Sequence, residues 1–321
     1  INETIPAISS ITPPANNTYI ETENLDFVVN TSENVNVTGT PRITIDIGGV
    51  TKFANYLSGT GTSALTFRYA VETALTDTDG ITITSPLDLN SGTIQNTDLS
   101  QNLDLIFTAP SMPLVLVDSA APAVAITSPV DASFINAAND STTFTISGTC
   151  DEAGQTVVIE VDATAAASPV GLSCDGTNFT GTIDTTALTE AAHTLVAKLT
   201  DPASNEGLSS TINVTKDTTA PNPTALTPPA DGSYMTASDV DFVVIFSEAV
   251  DIVNTPRIQL NIGGSTLYAD YNSGTGTSSI TFRYTVSGPD LDIDGIAISL
   301  TSLDLNTTGT IKDLASNDST L

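Results

Sequence analysis

Acidic and amide side chains recur along this chain in three sets whose types suit a hard cation. The first set heads three similar segments: Asn2, Asp118 and Asp217. The second follows an apolar strand pattern: Glu33, the pair Asp151-Glu152, and Glu248. The third is an Asp-x-x-x-Asn spacing: Asp98 with Asn102, Asp201 with Asn205, and Asp313 with Asn317. Calcium takes about six to eight oxygen ligands from carboxylates, carbonyls and waters. If the chain folds into successive two-sheet units, with these sets at the chain entry and in loops at one end of each unit, the three sets are expected to converge where one unit meets the next. The alternative is that these Asp and Asn residues only cap turns through local backbone hydrogen bonds. A separate run, Asp290-x-Asp292-x-Asp294-Gly295, matches the front half of a calcium loop, but Thr301 stands where a closing Glu belongs. Its upstream copy keeps only Asp77, Asp79 and Gly80. That turn reads as a plain turn or as a contributor to the junction at Asp118.

Cys150 and Cys174 are the only cysteines. Each ends a strand pattern, so the pair reads as a disulfide suited to an oxidising compartment, with two buried free thiols as the alternative. His193 is the only histidine and lies at a strand start, where the pattern predicts exposure. No Ser-His-Asp set, metal-hydrolase motif or phosphate loop appears. Paired carboxylates can hydrolyse glycosides, but here they recur at every boundary, which suits architecture better than one active centre. Eight Lys plus Arg against 37 Asp plus Glu give a net charge of −29. Such a surface repels nucleic acid and anionic membranes and attracts cations. Solubility alone also accounts for it. No apolar run is long enough to cross a bilayer, and no signal peptide opens the sequence, which therefore reads as a section of a longer chain.

The elements that must position these groups are strands. Thr255–Tyr284, TPRIQLNIGGSTLYADYNSGTGTSSITFRY, nearly copies Thr40–Tyr69 at a constant offset of 215. Ile43, Ile45 and Ile47 alternate with Thr44 and Asp46, the period of a half-buried strand. Gly48-Gly49 suits a two-residue hairpin, whose central positions need positive φ. Leu65, Phe67, Tyr69 and Val71 share one face of a third strand. Arg42, Arg68, Arg257 and Arg283 face outward by alternation and are expected to pair with carboxylates. A last strand is expected over Leu103–Phe107. The middle of the chain shows the same alternation at Phe144 and Ile146, Val157 to Val161, and Leu195 to Leu199. These patterns predict an all-β protein: three tandem immunoglobulin-like β-sandwich modules in an extended rod, over residues 1–117, 118–216 and 217–321, each of roughly one hundred residues. The third copy reaches Leu321 inside its expected last strand, which predicts continuation downstream. A sheet edge completed by a donated strand is the alternative.

The linkers DSAAP (Asp118–Pro122) and DTTAP (Asp217–Pro221), together with FSEAV at Phe246–Val250 and KDLASND at Lys312–Asp318, resemble the bacterial Ig-like (Big-type) repeats of large surface adhesins. The middle segments GTCDEAGQTV and TDPASNEG are similar to a second subtype of those repeats. The resemblance spans essentially the whole chain. It implies a non-catalytic, extracellular stalk at a bacterial cell surface, often stiffened by structural calcium. Its partners would be neighbouring modules of the same chain and, through a tip elsewhere, a receptor on a host or prey cell, with no nucleic acid and no direct membrane insertion. The rival expectation is that one module itself binds protein or glycan. An accessory region of an enzyme is a third, and it needs a catalytic domain elsewhere.

Overall fold

The computed structural model describes residues 4–98, 101–165 and 171–321. In the first unit the strands are β1 (Ile8–Thr12), β2 (Asn17–Tyr19), β3 (Asn24–Thr38), β4 (Arg42–Ile47), β5 (Val50–Ser58), β6 (Thr62–Ala70), β7 (Thr76–Asp77), β8 (Thr82–Asp88), β9 (Thr93–Asn96) and β10 (Val115–Asp118). The larger sheet runs β1-β3-β6-β5-β4-β8, with β9 also paired to β3; the smaller is β2-β10-β7. Leu25 and Phe27 of β3, Phe67 of β6 and Val115 and Val117 of β10 share one core. The β4–β5 hairpin turns on Gly48-Gly49, with φ of 55° and 83°. A Cβ on Gly48 would lie 2.0 Å from the Thr76 carbonyl oxygen, so only glycine lets the hairpin tip rest on β7. The strand expected over Leu103–Phe107 is not formed. That segment makes only a bridge, Asp104 to Ala7, and β10 closes the unit instead.

β3 is one long strand with a bulge. Asn30 pairs with Ala64 and the next partners are Val35 and Thr62, so the residues between are thrown out of the ladder. The outer half of β3 then pairs with β9. A bulge bends its strand and re-aims side chains, and this one carries Glu33.

The second unit contains β11 (Val124–Ser128), β12 (Ser133–Ile135), β13 (Phe144–Cys150), β14 (Val157–Val161), β15 (Thr164–Ala165), β16 (Asn178–Ile183), β17 (Ala192–Thr200), β18 (Glu206–Leu208) and β19 (Ile212–Lys216). Sheet β11-β13-β16 faces sheet β12-β19-β17-β14-β15 across a core of Ile146, Ile159, Phe179 and Leu195. Cys150 and Cys174 are joined in a disulfide with Cα atoms 6.0 Å apart.

The third unit contains β20 (Pro223–Thr227), β21 (Asp239–Val253), β22 (Arg257–Ile262), β23 (Ser265–Ser273), β24 (Thr277–Thr285), β25 (Leu303–Asp304) and β26 (Thr310–Asp313). Its sheet, β20-β21-β24-β23-β22-β25 with β26 on β21, repeats the strand order of the first unit, and β21 has the same bulge. The expected outward arginines pair across strands. Arg68 bonds Asp26 and Arg283 bonds Asp241, while Arg42 bonds Asp88 and Arg257 bonds Asp304. The last two stack over Phe53 and Tyr268, each 3.8 Å from the ring centre. The architecture is all-β and immunoglobulin-like, with three hydrophobic cores.

The disulfide closes a loop of 24 residues' separation, for which chain entropy gives about 3–4 kcal/mol of stabilisation. Reduction is therefore expected to lower the thermal transition of the second unit and leave those of the other two in place. Calorimetry with and without reductant checks this, and a uniform shift of all transitions would contradict it.

Candidate cation site at the unit boundaries

The second boundary brings three carboxylates together. β19 ends at Lys216, and Asp217 follows, its N–H donating to the Ile135 carbonyl at 2.9 Å. Asp313 ends β26, opposite Val250 of β21. Glu248 sits in the β21 bulge two residues before Val250, so the bulge turns it toward the same point. Ligand oxygens of Asp217, Glu248 and Asp313 all lie within 4.8 Å of one another, with Asp313 buried and the other two half-buried. In an effective dielectric near 20, like charges about 5 Å apart repel by roughly 3 kcal/mol before screening. Burial, then the charges of Asp217 and Asp313, push the Glu248 carboxyl above its usual range. Burial also raises Asp217, followed by the charges of Asp313 and Glu190 and opposed by the Thr219 N–H.

Asn317 fastens this arrangement. Its amide donates to Asp313 Oδ2 and to the Asp217 carbonyl, each at 2.8 Å. Its Oδ1 accepts the Ala137 N–H at 2.8 Å, and Asn136 Nδ2 donates to the Ala315 carbonyl at 2.7 Å. Two of these contacts, Ala137 to Asn317 and Asn136 to Ala315, join the second and third units beside the carboxylates. Beneath them Lys216, buried, pairs with Asp140 at 2.9 Å and donates to the Thr185 carbonyl. The donor set is hard oxygen at partly buried, mutually repelling positions, which fits calcium. Asp217, Glu248 and Asp313 are the residues that would hold it.

The first boundary has the same frame with looser carboxylates. Asn205 Nδ2 donates to Asp201 Oδ2 and to the Asp118 carbonyl, at 2.8 and 2.9 Å. Burial, then Asp201, raises Asp118. Burial, then Asp151, Asp201 and Asp118, raises Glu152. Asp151 is occupied as a cap, both of its oxygens accepting the Ala123 N–H. Among the described residues only the Asp217–Glu248–Asp313 group places three acidic ligands this close.

Other sequence-predicted residues are used differently. Asp77, buried, accepts the N–H groups of Gly48 and Gly80 at 2.8 and 2.7 Å, locking the hairpin tip to its own turn. Asp79 is exposed beside it. Asp292 repeats this capping with Gly263 and Gly295. Asp290 accepts the Tyr284 hydroxyl and the Ser287 N–H. Neither run gathers three acidic ligands among the described residues. Asn2 lies outside the described residues. The pair Asp98 and Asn102 is not the first-unit counterpart of Asp313 and Asn317. Asn96 and Gln101 take those places, with Asn96 N–H donating to the Gln101 carbonyl and Gln101 N–H to Asn96 Oδ1. The third unit gains two residues ahead of this turn, so Asp313 stands 217 positions after Asn96 rather than 215, and the first-unit turn itself is one residue longer.

His193 is buried, not exposed as its sequence position predicts. Its Nδ1 lies 2.7 Å from Asp162 Oδ2 and its Nε2 2.9 Å from the Thr189 carbonyl. Both partners are acceptors, so the doubly protonated ring is the form that satisfies both contacts. Burial opposes the charge, but the bonds to Thr189 and Asp162 outweigh it and raise the histidine's pKa. Alternation in β17 signals an inward position for residue 193. The contacts of Asn136 and Lys216 carry no such local signal.

No protein-family model matches the chain, and comparison with curated proteins finds no match. Among solved structures, a section of a bacterial ice-binding adhesin of 1.5 MDa is similar over 92% of this chain and 87% of its own, at 15% identity and a TM-score of 0.33. A tetra-tandem repeat from the extending region of a large adhesion protein is similar over 90% of this chain and 66% of its own, at 16% and 0.25. Fibronectin(III)-like modules of Clostridium thermocellum CbhA are similar over 65% and 94%, at 12% and 0.26. Scores at this level carry no functional argument.

Two measurements follow from the site. A carboxyl with a raised folded pKa binds its proton more readily folded than unfolded, so its charge costs stability above that pKa and nothing below the unfolded one. Glu248→Gln should therefore stabilise the third unit at neutral pH in chelator, by on the order of 1 kcal/mol after screening. The gain should vanish on acidification below the carboxylate range, and calcium should reverse its sign. Thermal melts of both proteins across pH check this. For His193 the sign is opposite in appearance: its stabilisation is present below the unfolded value of about 6.5 and is lost as pH rises through the raised folded value. Asp162→Asn should lower the His193 pKa in an NMR titration of the imidazole.

Proposed function

We propose that this chain is a non-catalytic, extracellular repeat section of a bacterial surface adhesin or fibre, whose boundaries calcium tightens. Residues 1–117, 118–216 and 217–321 act as separate modules of the Big type. The observation that carries the reading is the Asp217–Glu248–Asp313 cluster, which lies at the boundary end of residues 217–321 and is tied to the preceding module through Asn317, whose Oδ1 accepts the Ala137 N–H. A cation there cancels the repulsion and couples one module to the next. Pro122 and Pro221 stiffen the short linkers from the other side. The adhesin-like linker motifs support the reading, and the disulfide suits an oxidising, extracellular setting. No helix is long and apolar enough to cross a membrane among the described residues. The work of this section is to span distance while a tip elsewhere meets a host or prey cell.

Small-angle scattering and thermal melts, each with calcium and with chelator, test this. Calcium is expected to raise the melting temperature by mass action and to lengthen and narrow the distribution of a rod on the order of 100 Å. Asp217→Ala and Asp313→Ala are expected to remove both effects at the second boundary. Identical curves in calcium and chelator would leave prolines and direct packing as the only stiffeners and would end the calcium reading.

A further inference from the structure

The two boundaries share one frame and differ in how the preceding unit meets it. In the first unit β2 ends at Tyr19 and runs into a turn, where the Ile20 N–H donates to Glu23 Oε2 and the Glu23 N–H to the Ile20 carbonyl, at 3.0 and 3.2 Å. In the second unit β12 ends at Ile135 and runs into the same turn, with the Asn136 N–H on Asn139 Oδ1 and the Asn139 N–H on the Asn136 carbonyl, at 2.7 and 3.1 Å. The two strands are placed alike. Tyr19 lies opposite Val117, one residue before Asp118, and Ile135 lies opposite Lys216, one residue before Asp217. Ile20 is therefore the counterpart of Asn136, and Glu21 of Ala137.

The Asp-x-x-x-Asn turn of the following unit is also the same at both boundaries. In each, the asparagine backbone and amide donate to the aspartate, and the amide reaches the carbonyl of Asp118 or Asp217. At the second boundary two further bonds close the gap: Asn136 Nδ2 donates to the Ala315 carbonyl and the Ala137 N–H to Asn317 Oδ1. At the first boundary neither counterpart forms among the described residues. Ile20 has no side-chain donor to offer Ala203, and Asn205 Oδ1 accepts no hydrogen bond among the described residues. Burial follows the bonds. Ala315 and Asn317 are 3% and 5% exposed, whereas Ala203 and Asn205 are only half-buried. Glu21 also brings a negative charge to the place that Ala137 holds at the second boundary, beside Asp118, Glu152 and Asp201, which already crowd one another.

The linkers do not account for the difference. Ser119, buried, is bound to Glu72 and Leu75 of the first unit, and Thr218 is bound by both carboxylate oxygens of Glu190 in the second. Each exit is anchored to its own unit. What differs is the contact between one unit's turn and the next unit's turn.

We propose that the first boundary is a hinge and the second a lock, so that units two and three move as one body and unit one pivots beside Asp118. Bending at the second boundary must break two inter-unit hydrogen bonds that the first does not have. Asn136 sets the lock: its amide nitrogen crosses the boundary while its amide oxygen accepts the Ala138 and Asn139 N–H groups and holds the turn in shape. A hinge needs only a few residues at the ends of elements to absorb the change in backbone direction, and residues 118–122 with the uncovered turn supply them. The order of the two stiffnesses does not depend on a bound cation.

Spin labels on introduced cysteines at exposed strand positions read each boundary separately: Thr51→Cys with Thr145→Cys across the first, and Thr145→Cys with Asn272→Cys across the second. The native cysteines are joined to each other and take no label. Pulsed electron–electron distance distributions are recorded in chelator, so that failure of the calcium reading leaves the result untouched. The expected result is a broad distribution for the first pair and a narrow one for the second. Asn136→Asp keeps the oxygen that caps the turn and removes the donor, and Asn136→Ile copies the first boundary. Each should broaden the second distribution, raising its undocked population by up to about tenfold for the bond lost. Ile20→Asn should narrow the first. Equal widths for the two pairs would overturn the proposal, as would a second distribution that neither Asn136 variant changes.

Discussion

Asn205 and Asn317 each donate one amide hydrogen to the aspartate of a tight turn and the other to the carbonyl of the residue that leads into the next unit. Both donors of each amide are used, and leaving one buried and unmade would cost about 1–3 kcal/mol. The geometry that satisfies them also decides where the carboxylates go. Asp313 accepts with both oxygens from Asn317, and it is thereby held against Asp217 and the bulged Glu248. The negative cluster is a consequence of the brace: a short connection that must satisfy its backbone with acidic residues at hand ends by crowding their charges.

Like charges crowded at a partly buried point are unstable unless something positive arrives. The chain has few cations to send, eight Lys and Arg in all. Its four arginines are committed to cross-strand pairs on the sheet faces, and Lys216 is committed to Asp140. Protonation of a raised carboxyl or a dissolved divalent ion is the remaining way to balance the boundary. On the proposed reading, the concentration of acidic groups at the boundaries is what would let their stiffness respond to the ions outside.

The first and third units show how far a strand's environment decides its state. Their shared segments fold alike wherever the partner strand is local, as in the hairpin and the bulge. They differ where the partner comes from farther along. Residues 17–19 form a strand because β10 lies beside them, and residues 232–234 do not.

Much was legible in the sequence because a strand's side-chain period is a local property. Alternation at Ile43, Ile45 and Ile47 and at Leu65 and Phe67 marked the core face, paired glycines marked the hairpins, and the lone cysteine pair marked the disulfide. The acidic sets were visible as residue types, and the repeat brought out their correspondence. What tertiary structure decided was which groups share an acceptor and which strand fills which edge. Asp77 was readable either as a turn residue or as a cation ligand, and it accepts from two backbone N–H groups. His193 looked exposed and is buried on Asp162, 31 positions away. Two residues gained by the third unit ahead of its turn make Asn96 and Gln101 the first-unit counterparts, and the strand expected at Leu103–Phe107 gave way to β10. Asn317 meets Asp217 across 100 positions. Such meetings depend on where whole sheets place their ends, and hydrogen-bond partners chosen at that distance leave no period in the chain.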